Sequence, residues 1–181
     1  GTSNFAGFTF CCAFYSFAVN ISGPFFAVYL LDGLHFDYLR YMAVSSAGPL
    51  AMYLTQRYWG DWADAIGGAR VVKMSTVMIP IIPLLWTLSP HWLFLTLVEC
   101  YSGFAWSAYL MGVNNFIYDA VTPAKRTRAM GYYSAVTGAG QAIGPLIGGY
   151  LYTRLPALNG HGFMSMLLIT AALRVAAGIA F

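Results

Sequence analysis

Long apolar runs separated by short polar gaps dominate this chain. They fall near residues 5–31, 38–58, 71–89, 92–118, 128–153 and 162–181. A helix needs about 20 mainly apolar residues to cross the hydrocarbon core of a bilayer. In lipid every backbone N–H and C=O must be satisfied within the segment, so runs of this length are read as helices. A transmembrane β-barrel would instead show short segments of alternating polarity. These runs are continuous and rich in Gly, Ala, Leu and Phe. The pattern predicts an all-α membrane protein of six transmembrane helices, forming one domain over 1–181. The fourth and fifth runs exceed the minimum, which predicts tilt or extension past the membrane.

Composition sharpens the class. Hydrophobic residues make up 59% of the 181 and charged residues 8%, and the mean hydropathy is +0.65. A soluble domain carries about 25% charged residues, so this chain lacks the polar skin that water would require. The net charge of +3 comes with no basic stripe, and no nucleic-acid partner is expected. Cys11, Cys12 and Cys100 lie inside apolar runs without metal-ligand spacing, and they read as small packing residues. Asn20-Ile21-Ser22 matches a glycosylation pattern but sits within a span. The histidines (His35, His91, His161) are too far apart to suggest a metal site.

The charges that are present cluster in the gaps. Arg57, Arg70 and Lys73 mark the gap between spans two and three, and Lys125, Arg126 and Arg128 the gap between four and five. Basic loops face the cytoplasm, which predicts cytoplasmic termini at both ends of a six-span chain. Residue 1 is Gly rather than Met, and residue 181 falls within an apolar run. A fragment of a longer protein is therefore expected.

Two motifs stand out. The first runs Gly60-Asp61-Trp62-Ala63-Asp64-Ala65-Ile66-Gly67-Gly68-Ala69-Arg70. Glycines there permit a tight turn, and an Asp near a helix N-terminus is favoured by the helix dipole. The plainer reading is a polar turn. The second is Gly131, Gly140, Gly144-Pro145 and Gly148-Gly149 in span five. Glycines four apart share a helix face and admit a close neighbour, while Pro145 removes a backbone donor. The plainer reading is a packing face with no role in coupling.

Together these stretches resemble the signatures of the major facilitator superfamily. Gly60, Asp64, Gly67 and Arg70 match its loop pattern G-x-x-x-D-R-x-G-R-R, while Ala65, Gly68 and Ala69 depart from its basic positions. The span-five glycines match its pattern G-x8-G-x3-G-P-x2-G-G, which in the family is associated with proton-linked antiport. Other stretches are similar to the C-terminal half of bacterial members. Phe17 to Tyr29 resembles a seventh helix. Gly103-Phe104-Ala105-Trp106, Asn115-Phe116 and Pro123-Ala124-Lys125-Arg126 resemble a tenth helix and its loop. Leu173-Arg174 resembles a twelfth, and Glu99 stands where the N-terminal half often carries an Arg. The resemblance implies one six-helix half of a transporter that rocks around a midplane site. It would sit in a bacterial inner membrane, partnered by the lipid bilayer, a missing N-terminal six-helix half, a small-molecule substrate and, for a coupled carrier, protons. In the family the loop Asp meets helix ends across the two-half interface, which gives Asp64 a gating role.

Polar groups inside a membrane are costly and mark function by default. Glu99 is the acid deepest within a span, about 9 Å along the axis from its centre at 1.5 Å per residue. It could carry a coupling proton or bind a cation; its other reading is structural. Asn20, just before Gly23-Pro24, and Gln141 among the span-five glycines could face a central cavity or bond a neighbouring helix. Trp106 and Tyr109 could line a substrate path or simply pack. Arg174 could snorkel or meet a partner. No nucleophile–base–orienter set is visible, so the chain is not read as an enzyme, and no cofactor is expected. The reading is secondary active transport of a small solute; its rival is a non-transporting membrane sensor or scaffold with the same fold.

Overall fold

The computed structural model describes residues 2–154 and 162–179. His161 and the two chain ends, Gly1 and Phe181, lie outside them. The helices are α1 (Thr2–Asn20), α2 (Phe25–Val28), α3 (Tyr38–Ile66), α4 (Gly68–Met78), α5 (Ile81–Trp86), α6 (Trp92–Ala120), α7 (Arg126–Arg154) and α8 (Gly162–Ile179). No strand occurs among the described residues. By length and composition, two stretches suffice to cross a membrane: Phe5–Gly33 and Gly68–Trp86. Phe163–Ile179 is a shorter apolar helix. The helices α3, α6 and α7 have 29 residues each. At 1.5 Å per residue that is about 43 Å, and their Tyr, Gly and Ser residues dilute the apolar signal.

The first expected span, 5–31, is not one helix. It ends at Asn20, turns through residues 21–24 and resumes as α2, followed by a π turn over Tyr29–Gly33. Pro24 cannot donate to the Asn20 carbonyl and its ring crowds that position. The Phe25 N–H turns back to Ser22 O at 3.1 Å instead. The third span breaks for a related reason around Pro80, between α4 and α5.

The second span requires a larger correction. Placed at 38–58, it runs to Ile66 as a single helix. Its start is fixed by Asp37, whose side chain accepts from the Arg40 N–H at 3.0 Å. Its end is fixed by Gly67 at φ 92°, a backbone conformation that a Cβ disfavours. Gly60 and Asp64 therefore lie on the helix rather than in a loop. Polar side chains do not end a helix, and no proline falls between Tyr58 and Gly67. Asp64 stands in the last turn of α3, four residues before α4 begins. Gly67 is the turn itself, and Arg70 lies in the first turn of α4.

Two tight seams organise the bundle. The helix α6 lies along α3 and α4, and α7 lies along α1. A Cβ on Gly103 of α6 would collide with the Gly48 carbonyl and lie 2.8 Å from Met52 N. One on Gly112 would stand 2.9 Å from Val72 N. On α7, Cβ atoms at Gly140 and Gly144 would stand 2.6 Å from Ala13 O and 2.9 Å from Phe17 O, and one at Gly148 would collide with Ile21 O. Gly131 faces open space, and Gly149 meets only the Phe25 ring at 3.8 Å, so three of the motif's five glycines make close contacts.

The seams meet through rings. Phe8 stacks on Phe116 at 3.9 Å and Tyr15 on Tyr109 at 5.4 Å. The helix α8 bridges α1, α5, α4 and α7, and its Phe163 joins Phe26, Tyr29 and Trp86 in an aromatic cluster.

Candidate functional site

The helix break in the first span and the aromatic face of α6 enclose a set of adjoining cavities. One, of about 450 Å³, is lined by Asn20, Trp106, Tyr109, Tyr133, Thr137 and Gln141, among others. Four of the side chains chosen from sequence (Asn20, Trp106, Tyr109 and Gln141) thus come together from α1, α6 and α7. Asn20 donates to Ser16 O at 2.8 Å within its own helix. Tyr109 is buried, with Trp106 edge-on at 5.6 Å. Gln141 is exposed to the cavity rather than bonded across to a neighbour.

Glu99 is not in that cavity. It lines two others, of about 390 and 500 Å³, which share Trp106 with the first. Its Oε1 accepts from the Trp86 indole N–H at 3.2 Å. Its Oε2 fills the space left by Gly48, where a Cβ would stand 2.9 Å away. Ser102, one turn further along α6, borders both of these cavities. Trp106 is thus the common wall of all three spaces.

Arg174 neither snorkels nor meets an acid. It is 3% exposed and donates through Nη2 to Ser22 Oγ at 2.9 Å and, less closely, to Val19 O at 3.4 Å. It lines the 390 Å³ cavity together with Glu99. Trp86 and Ser102 were not singled out from sequence. Trp86 lies thirteen residues before Glu99 on another helix, and no spacing rule links them.

At the end of the bundle that carries the basic residues, Asn115 of α6 donates to Asp64 Oδ1 at 2.6 Å. Arg126 folds back on the end of α6, donating to Tyr118 O at 3.2 Å with its guanidinium 4.9 Å from that ring. Cations are favoured there by the negative end of the helix dipole. Gly60, Asp64, Gly67 and Arg70 thus lie along the end of α3 and the α3–α4 corner, with Asp64 held by α6.

The chain is 28% identical over 117 residues to multidrug resistance protein 1 of Bacillus subtilis (strain 168), covering 63% of this chain and 30% of that protein. It is 24% identical over 106 residues to multidrug resistance protein 2 of the same strain, covering 59% and 26%. It is also 24% identical over 129 residues to the quinolone resistance protein NorA of Staphylococcus aureus (strain MRSA252), covering 71% and 33%. The chain thus matches about a quarter to a third of the length of these relatives. The family profile described as Major Facilitator Superfamily matches residues 8–181. With that match along nearly its whole length, this all-helical chain is an integral membrane protein and belongs to the Major Facilitator Superfamily.

Proposed function

We propose that the chain is the C-terminal six-helix half of a secondary active transporter that moves a small solute by alternating access. Its six spans are α1 with α2, α3, α4 with α5, α6, α7 and α8. The α3–α4 and α6–α7 turns face the cytoplasm, as do both termini, in the plasma membrane of a bacterium. The missing N-terminal half supplies the facing wall. The names of the relatives suggest drug-like solutes as the substrate class.

The single observation that supports this reading most is the convergence of Asn20, Trp106, Tyr109 and Gln141 on one cavity wall. Cavities between helices, with a few polar groups on an apolar lining, are common small-molecule sites. Broken helices near mid-membrane also mark transporter sites. In this reading the α1–α2 break and Asn20 shape the cavity, and Trp106 and Tyr109 present flat apolar faces to the solute. Glu99 exchanges a proton as access alternates.

The test is flux of the full-length protein in proteoliposomes. A panel of drug-like solutes of positive, negative and zwitterionic charge is followed across a pH series, for the parent and for Glu99→Gln. The expected result is pH-dependent flux in the parent and flat pH dependence in the variant, with folding retained. Binding without flux would replace the transporter with the sensor or scaffold. An unchanged pH profile in the variant would remove proton linkage from Glu99.

A further inference from the structure

Two opposite charges border the 390 Å³ cavity without being joined. Among the described residues the one ion pair is Arg40–Asp37, 3.7 Å apart at the surface. Arg174 donates to neutral groups, Ser22 Oγ and Val19 O, with the Tyr15 phenol nearby, and its buried Nε has no partner. A guanidinium carries five N–H donors in a rigid fork, so much of its capacity is unused. Glu99 likewise meets a neutral donor, the Trp86 indole. Charges taken from water are costly unless paired, and here each lacks a counter-charge beside a space that could hold one.

The chemistry of the wall specifies what fits. Arg174 offers donors suited to a planar oxyanion. Glu99 offers an acceptor for an ammonium, and the rings of Phe26, Trp86 and Trp106 line the same space. Aromatic faces attract a cation and cover an apolar body. At roughly 30 Å³ per water, the volume equals about a dozen waters, enough for a small aromatic solute. A simple cation would leave Arg174 unpaired, and a simple anion would leave Glu99 unpaired. One zwitterion neutralises both.

We infer that this cavity takes a zwitterionic solute, with its oxyanion group on Arg174 and its ammonium on Glu99. The inference rests on the transport reading of the same region and names the charge class of its substrate. A zwitterionic lipid headgroup shares this chemistry, and the experiment separates the two sources.

The full-length protein is titrated in phosphatidylglycerol nanodiscs with 4-(aminomethyl)benzoate, benzylamine and benzoate, read by tryptophan fluorescence. The zwitterion is expected to bind at least tenfold tighter than either single-charge probe. Arg174→Gln should bring the zwitterion down to the level of benzylamine while leaving benzylamine unchanged. Should that variant fold poorly, Glu99→Gln provides the reciprocal test from another helix: zwitterion binding falls to the level of benzoate, and benzoate is unchanged. Adding phosphatidylethanolamine to the discs identifies the source. Competition assigns the two-charge site to a lipid headgroup, and its absence assigns it to a soluble zwitterion. Equal binding of benzylamine and the zwitterion would overturn the inference. So would equal weakening of all three probes by Arg174→Gln, which would leave Arg174 as a brace for the helix break. Flux of drug-like solutes without zwitterion preference would remove this inference alone. Zwitterion binding without flux of any solute would instead remove the transport reading.

Discussion

Adding a single methyl group to α7 tests the packing directly. Gly144 and Gly131 lie on the same helix, but a Cβ at Gly144 would stand 2.9 Å from both Asn20 Cβ and Phe17 O, whereas one at Gly131 meets nothing within 4 Å. Carbon atoms prefer about 3.5–4.0 Å, so Gly144→Ala must push α1 away by roughly 0.6–1 Å. Phe17 O is backbone, and Asn20 is held to Ser16 O, so neither yields easily. Overpacking of this kind costs about 1–3 kcal/mol. The gain in helix propensity from Gly to Ala, up to about 1 kcal/mol, applies at both sites and cancels in the comparison. Gly144→Ala is therefore expected to be about 1–3 kcal/mol less stable than Gly131→Ala, at about 1.4 kcal/mol per tenfold in the folded ratio. Reversible SDS unfolding of the purified full-length protein, followed by circular dichroism, measures the difference. Agreement of the two variants within about 0.5 kcal/mol would refute the reasoning, because it would mean the α1–α7 seam has room for a side chain. Gly144→Leu, with three further carbons, is expected to yield a misfolded or locked protein.

Three other outcomes are expected. Gly67→Ala forces a Cβ into a backbone conformation with φ 92° and should lose about 1–3 kcal/mol in the same unfolding assay; an unchanged midpoint would show that the corner relaxes freely. Asp64→Asn and Asn115→Ala should each slow flux in the full-length protein while leaving membrane insertion and expression intact, since each disturbs the 2.6 Å link between α3 and α6; normal turnover in both would make that link a turn decoration. Cysteines introduced at Ala65 and Ala124 in a cysteine-free background should resist an impermeant maleimide in intact cells and react after lysis; ready labelling of both in intact cells would invert the proposed topology.

Much of the helical framework was legible because apolar runs of this length have few alternatives in lipid. The four-residue spacing of Gly140, Gly144 and Gly148 was also legible as one face: Gly140 and Gly144 lie against α1, and Gly148 against the turn that follows it. The extension of α3 through Gly60 and Asp64 was not, because polar residues occur on helix surfaces as well as in loops, and this helix ends for a backbone reason at Gly67. Gly48 and Gly103 belong to no repeat, so their close approach left no trace in the order of residues. The Trp86–Glu99 bond and the berth of Arg174 depend on how separate helices meet. Sequence identifies a lone acid and a lone base in the membrane but does not place them on one cavity.

The two glycine seams have a mechanical consequence. Helices in backbone contact cannot shear without breaking that contact, so α1 with α7 and α3 with α4 and α6 behave as two stiff slats. Between the slats lie stacked rings such as Phe8–Phe116 and Tyr15–Tyr109, which can slide and tilt at little cost. Asn20 and Gln141 stand on one slat and Trp106 and Tyr109 on the other. Under the transport reading proposed above, a guest lodged between them would work as a wedge: its thickness would set the angle between the slats, and the size of the cargo would become a change in the shape of the carrier.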